Sequence, residues 1–284
     1  MTAVRIGLIA DTHMPARCRT LPPAVFDALR GVDLLLHAGD VGELWVLDRL
    51  SAIAPVIAVH GNDHGPDEAR ELPYQQIIGV HGQRILLTHS HHPDRAEEME
   101  ARKSDDWVPK LARRIAMGRR AGARIVVFGH IHIPLTYEED GILLINPGAI
   151  AAPNAEMRQR VRSVAILTID DDGMPSVAHI DLTQPESPFV PRIDWEAGFR
   201  AAHKQFGLSI LAPDLAADFS RFFHLVRQVA PETGLAAYLH LAHQCWAGER
   251  SVITRADLIR AVDADAAIPT DAKAQILAML RHDA

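Results

Sequence analysis

Cysteine is nearly absent from this chain of 284 residues. Cys18 and Cys245 stand far apart and neither belongs to a CxxC pair, so no disulfide framework is implied and a reducing compartment fits. Long hydrophobic stretches are missing too. Runs such as Leu34–Leu36 and Ile142–Ile145 are far too short to span a bilayer. The opening run to Ala10 lacks a basic leader and a cleavage site, and Asp11 ends it. It reads as a strand, and the expected location is cytoplasmic with no membrane partner. Positive charge is not in excess either: 29 Lys and Arg face 36 Asp and Glu, a net charge of -7. That balance argues against a broad footprint on long nucleic acid. It leaves a small anionic substrate open, because a metal site sets its own local charge. No repeat or low-complexity tract is present. The 48% hydrophobic content supports a sizeable packed core rather than disorder.

What is present is a change of pattern along the chain. Apolar, β-branched runs alternate with helical patterns up to about residue 184, which predicts α/β layering. Strands are expected at Val4–Ala10, Leu34–His37 and Val56–His60, with helices at Pro22–Arg30 and Glu43–Leu50. Hairpins then follow. Tyr74–Val80 and Arg84–Thr88 flank His81-Gly82-Gln83; Ile133–Tyr137 and Ile142–Ile145 flank Asp140-Gly141; Val161–Ile169 and Pro175–Leu182 flank Asp171-Asp172-Gly173. Arg124–Phe128 is a further strand. Asp94–Ala121 is mostly helical, with a break or fresh start suggested by Pro109. Two mixed sheets packed face to face, with helices outside, satisfy both halves.

Residues 185–192 contain Pro185, Pro188 and Pro191 and read as a linker between a domain at 1–184 and an extension at 193–284. Strand signals stop there. Four or five helices are expected, at Trp195–Phe206, Asp214–Val229, Pro231–Trp246, Arg255–Val262 and Asp271–Leu280, with Thr254 and Asp257 as a capping box. Phe219, Phe222, Phe223 and Trp246 read as the extension's core. The extension could cover the active site, support a homo-oligomer, or stabilise the sandwich.

Five polar clusters carry the chemistry, each following an apolar strand. Asp11 and His13 follow the first. Asp40 follows the second in His-Ala-Gly-Asp, and Asn62 the third in Gly-Asn-Asp-His. His89 follows Arg84–Thr88, and His130 and His132 follow Arg124–Phe128 in Gly-His-Ile-His. In open α/β sheets, ligands bind beyond the carboxyl ends of strands. Alternating histidines in an extended segment point to one face. Asp-Thr-His or Gly-Asp alone is an ordinary turn, a lone His89 an ordinary core or edge histidine, and Gly-His-Ile-His moderately specific; five clusters at one edge point to a metal site. Imidazole, carboxylate and amide-oxygen donors suit Mn²⁺, Fe, Zn²⁺, Ni²⁺ or Co²⁺, with Mn²⁺ the leading expectation. Six or seven ligands exceed the need of one ion with an open position, whereas two ions sharing a carboxylate use them. Such a centre attracts phosphate even on a negative protein.

The order Asp-x-His, Gly-Asp, Gly-Asn, Thr-His, Gly-His-x-His and Asn-Pro-Gly resembles the calcineurin-like metallophosphoesterases over about residues 4–182. The likeness is to the small prokaryotic phosphodiesterase branch, with its Vps29-like scaffold relatives. The resemblance implies a four-layer α/β/β/α sandwich. It implies one ion on Asp11, His13, Asp40 and His132, and a second on Asp40, Asn62, His89 and His130, with a hydroxide between them attacking phosphorus. His91 matches a second histidine that follows the metal-binding one; it could touch substrate or be a loop residue. Asn146-Pro147-Gly148 matches a motif that shapes a nearby loop. One position departs. Where many members carry histidine after the metal-binding asparagine, this chain has Asp63, with His64 next. Asp63 could act as an acid only with a raised pKa; His64 could supply the missing group.

The expected function is hydrolysis of a small phosphodiester. A phosphomonoesterase is the alternative within enzymes, and a non-catalytic metal-binding scaffold the alternative of another class. A scaffold would be expected to lose ligands, and this chain keeps all seven. Arg113, Arg114, Arg119, Arg120 and Arg124 could line a route for anions or form a solvated face balanced by Asp94, Glu97, Glu98 and Glu100. His37, His60 and His81 read as structural, and His240 with His243 lacks the carboxylates of a second metal site.

Overall fold

The computed structural model describes residues 3–63, 65 and 70–281. They form two compact units. The first runs to Pro153 and resumes at Gln159–Gly207; the second comprises Asn154–Arg158 and Leu208 onward.

In the first unit, β1 (Val4–Ile9), β2 (Leu34–His37), β3 (Val56–Ala58), β10 (Ser163–Ile169) and β11 (Pro175–Asp181) make one sheet in the order β11-β10-β1-β2-β3. A second sheet has the order β4-β5-β6-β8-β7, from β4 (Gln75–Val80), β5 (Gln83–Thr88), β6 (Ile125–Phe128), β7 (Leu135–Glu139) and β8 (Ile142–Asn146). β1 runs parallel to β2, and β5 runs parallel to β6.

Side-chain alternation sorts the core into layers. Ile6, Leu8, Leu36, Ala165 and Leu167 of the first sheet meet Ile85, Leu87, Ile125, Val127 and Ile145 of the second. The intervening residues face outward. Ile9, Leu35 and Ile166 pack with Val25 of α1 (Pro23–Ala28) and with Val46 and Leu50 of α2 (Trp45–Leu50). Leu86, Val126 and Phe128 pack with Trp107, Leu111 and Ile115 of α4 (Trp107–Ala121). Strands buried on both faces must be apolar throughout, which is why they read as unbroken runs. The result is the expected α/β/β/α sandwich.

The helical stretch 94–121 divides at 104–106. α3 (Arg95–Lys103) begins at Asp94, whose side chain accepts from the amides of Ala96 and Glu97; α4 begins at Asp106, whose side chain accepts from Val108. Pro109 falls in the first turn of α4, where its missing N–H has no intrahelical partner to lose. Two hairpins turn on His81-Gly82 and Asp140-Gly141, all four residues at positive φ, as a right-twisted pair requires.

The first unit includes the proline-rich segment and α5 (Phe199–Phe206), so its edge lies near residue 207 rather than 192. The reason is packing: Phe189, Ile193, Phe199, Ala202 and Phe206 join the Trp107 cluster. α5 starts at Phe199, four residues later than the expected start at Trp195. Two three-residue strands, β9 (Met157–Gln159) and β12 (Gly207–Ser209), are too short to leave a periodic signal. The second unit holds α6 (Pro213–Val229), α7 (Ala236–Ala247), α8 (Arg255–Ala264) and α9 (Thr270–Arg281). Tyr238 packs on Phe219 and Phe222 at its centre. The capping box at Thr254 and Asp257 is formed. Among the described residues, no helix is long and apolar enough to cross a membrane.

Candidate metal centre

The parallel strands bring their carboxyl ends to one edge, and the loops leaving them are stitched together. The amides of Asp11 and His13 donate to the carbonyls of Gly39 and Asp40. The Ala151 amide donates to the Asp11 carbonyl. Asn146 donates to the Gly129 carbonyl and accepts from the Gly148 amide, which accounts for Asn-Pro-Gly as a loop clamp.

Asp11, His13, Asp40, His130 and His132 all sit at positive φ, between 42° and 75°. Residues other than glycine rarely adopt that region; Asp, Asn and His do so most readily, and such strain persists where surrounding structure enforces it. Two glycines act by leaving room. A Cβ at Gly61 would overlap Asp40 Oδ1, and one at Gly129 would lie 2.5 Å from the Ala38 carbonyl and 3.0 Å from Asp11 Oδ2.

Asp40 lies between two groups. Its Oδ2 is 3.5 Å from His13 Nε2 and 3.2 Å from His89 Nε2, while its Oδ1 accepts the Asp63 amide at 2.8 Å. Asp11 Oδ1 is 3.8 Å from His13 Nε2 and 3.3 Å from His132 Nε2. Asn62 Oδ1 is 3.2 Å from His89 Nε2. Two sets each offer three ligand atoms within 4.8 Å of one another: Asp11, His13 and His132, and Asp11, Asp40 and His89.

These donors fit divalent ions. His132 Nδ1 lies 3.2 Å from the Ala151 carbonyl, His89 Nδ1 lies 2.8 Å from that of Ala38, and His13 Nδ1 lies 3.4 Å from Asp63 Oδ2. In a neutral ring the other nitrogen is then an acceptor. His13 Nε2 and His132 Nε2 lie 3.3 Å apart across stacked rings, and Arg17 reaches the same His13 nitrogen at 3.3 Å. Asp11 and Asp40 are buried carboxylates, which require cationic partners. Burial pushes both pKa values up, yet the histidines hold Asp11 below its ordinary value and Asp40 well below.

His130 differs. Its amide donates to both Asp11 oxygens, but its ring Nε2 turns to Glu98 Oε1 at 2.8 Å. Burial lowers its pKa to about 4 despite that carboxylate. His91 sits beside the centre, 5.5 Å from His89 and 6.4 Å from His130 between ring centroids. Burial and the charges of His89 and His130 depress it to about 3, and its buried Nδ1 has no hydrogen-bond partner among the described residues.

Asp63 does not meet the condition for an acid. Its bond to His13 and its ion pair with Arg17 outweigh burial and lower its pKa. It is a charged acceptor that orients His13. His64 lies outside the described residues. Two residues near the centre carry no motif. Arg17 pairs with Asp63 and contacts the carbonyls of Ala152 and Pro153. Glu98, grouped by sequence with a solvated acidic face, is buried, whereas Glu97 and Glu100 are exposed. The spacing of Arg17 four residues after His13 is a signal only once the turn at 14–17 is known.

A cavity of about 730 Å³ lies at the opposite edge of the sheets, lined by Arg124, Gly141, Met174, His179 and Val190. It holds none of the clustered donors.

Residues 4–172 match the family of the calcineurin-like phosphoesterase superfamily domain. The chain belongs to that superfamily. A probable metallophosphoesterase of Methanothermobacter thermautotrophicus is 34% identical over 167 residues, 59% of this chain and 87% of that one. A phosphodiesterase of Methanocaldococcus jannaschii is 24% identical over 160 residues, 51% of this chain and 83% of its own. Among solved structures, Vps29 of Entamoeba histolytica complexed with zinc is 21% identical with a TM-score of 0.43, covering 63% of this chain and 99% of that one. As a calcineurin-like phosphoesterase, the chain is a metal-dependent phosphoric ester hydrolase.

Proposed function

We propose that this phosphoesterase holds two divalent ions, Mn²⁺ foremost, and hydrolyses a small phosphodiester. The observation that carries the reading is Asp40, one oxygen of which lies 3.5 Å from His13 Nε2 and 3.2 Å from His89 Nε2. In this reading Asp11, His13, Asp40 and His132 hold one ion, and Asp40, Asn62, His89 and His130 the other. When bound, divalent ions supply Lewis acidity to phosphoryl oxygens and acidify water.

The chain's own residues do the rest. Asp63 and Ala151 orient the rings of His13 and His132 through their Nδ1 atoms. His91, held uncharged and unpartnered at Nδ1 among the described residues, is the side chain we assign to substrate contact. Asp63 stays ionised beside Arg17, so protonation of the leaving oxygen falls to His64. A His64→Ala variant should lose turnover on a diester with a poor leaving group and keep it on an activated one, within the roughly 10²- to 10⁴-fold reach of general acid catalysis. Equal rates on the poor leaving group would remove His64 from the mechanism. Preference for a diester is supported by the name of the Methanocaldococcus jannaschii relative.

The deciding experiment compares chromogenic phosphate diester and monoester substrates with metal-stripped protein, with and without Mn²⁺. Mn²⁺-dependent diester turnover that outpaces the monoester is the expected result. Monoester preference would make the protein a phosphatase. No turnover with any of several metals would favour a metal-binding scaffold.

A further inference from the structure

Three of the four histidines at the centre are held alike. His13, His89 and His132 point Nε2 at the carboxylates and anchor Nδ1 behind them. For His89 and His132 the anchor is a backbone carbonyl. For His13 it is Asp63, half exposed and shared with Arg17.

His130 is held the other way round. Its Nε2 is the anchored nitrogen, 2.8 Å from Glu98 Oε1, which leaves Nδ1 as the nitrogen available to the centre. Its ring lies 5.1 Å from that of His89, whose Nε2 is 3.2 Å from Asn62 Oδ1. Glu98 is itself fixed. It stands in the first turn of α3, its amide donating to the Asp94 carbonyl. Its Oε2 accepts the His92 amide at 2.9 Å, and its Oε1 accepts from Arg102 Nε at 2.8 Å. The carboxylate is 10% exposed, against 68% for Glu97 and 73% for Glu100 on the same helix. A buried carboxylate with three donors is a charge held in place, and the ring N–H is the donor that faces inward.

A carboxylate behind a ligating imidazole sets its tautomer and orientation and strengthens it as a donor. Glu98 is the one buried carboxylate that anchors a site histidine among the described residues. We propose that Glu98 is a positioning residue for the second ion: it holds His130 with its proton on Nε2 and its lone pair on Nδ1, so that occupancy of the second position depends on it and occupancy of the first does not. This inference rests on the two-ion reading above.

The test uses the full chain, stripped of metal, and titrates Mn²⁺ by calorimetry and by the electron paramagnetic resonance of free and spin-coupled ion. Wild type should take up two ions. Glu98→Gln, which keeps the shape and removes the charge, should keep the first affinity and weaken the second by about 10- to 100-fold. The spin-coupled signal at two equivalents should fall with it. Glu97→Gln, an exposed neighbour, should match wild type. On a His130→Ala background, Glu98→Gln should cause no further loss, since Glu98 acts through that ring. A second readout needs no metal. Nitrogen-15 correlation spectra of the metal-free protein should show His130 as a single Nε2–H tautomer in wild type and a mixture in Glu98→Gln.

Wild-type affinities at both positions in Glu98→Gln would overturn the inference alone. So would equal weakening of both, or an unchanged tautomer, since Glu98 would then serve only the fold of α3. Uptake of a single ion by wild type would overturn the two-ion reading and this inference with it.

Discussion

In the proposed two-ion reading, Asp40 is the residue on which both halves of the centre turn. Its backbone sits at φ 50°, and its two oxygens meet three different loops. Asp40→Asn keeps the shape and the backbone preference but removes the charge. It should reduce Mn²⁺-dependent turnover by more than the about 10- to 100-fold typical of an outer-shell change, and it should weaken both ions, as read by titration. His89 makes a second prediction. Burial opposes its charged form, but Asp40 and Asp11 outweigh burial and raise it from 6.5 to about 9. A raised folded-state value stabilises the metal-free protein below pH 6.5, and that stability is lost as the pH climbs toward 9. Melting of the stripped protein should therefore decline across that window. At pH 7, metal uptake must expel the His89 proton. Calorimetry in buffers of different ionisation heat should record proton release that fades as the pH passes about 9. No proton release at pH 7 would contradict the charged His89.

At the scale of elements, the site was legible wherever a strand delivered a residue to its own end. Val4–Ile9 ends in Asp11 and His13, and Ile125–Phe128 ends in His130 and His132, so pattern and chemistry lie within a few residues. Helix-borne contributions were not legible. Glu98 shares a charged run with Glu97 and Glu100, and only the packed orientation of α3 tells the buried carboxylate from the solvated ones. Arg17 and Asp63 meet across 46 positions, which no local spacing encodes. The edge of the first unit was misplaced for a similar reason: prolines at 185, 188 and 191 look like a linker, yet Phe189 packs and bridges to His179. Caps, by contrast, are local and readable. Thr254→Ala removes the hydroxyl half of the box that opens α8 and leaves the residue-254 amide on the Asp257 carboxylate, and it should destabilise the protein by about 1 kcal/mol. Thermal melting checks this, and metal uptake should stay at its wild-type level.

Over the whole molecule, metal and fold are linked. Most of the donors lie in loops that belong to no helix or strand, and the buried carboxylates among them are costly without a counter-charge. An ion present at about 100 times its dissociation constant adds about 2.7 kcal/mol to the folded state. Chelation should therefore lower the melting temperature of the metal-loaded protein, and re-addition of Mn²⁺ should restore it. Melting indifferent to both would mean that the donors do not bind Mn²⁺ in the native state.

The sheet order also has a consequence for the order of biosynthesis. β1, which carries the first two donors, is flanked by β2 on one side and by β10 on the other. A ribosome that has delivered His89 has made five of the seven donors, yet β10 begins only at Ser163. Until that strand emerges from the exit tunnel, β1 has an open edge and the nascent chain has no finished scaffold to bend Asp11 and His13 into place. Pairing across such a sequence separation is slow. In the proposed reading, metal capture thus waits until β10 has emerged, and a truncated translation product ending before β10 should leave the tunnel without Mn²⁺ bound.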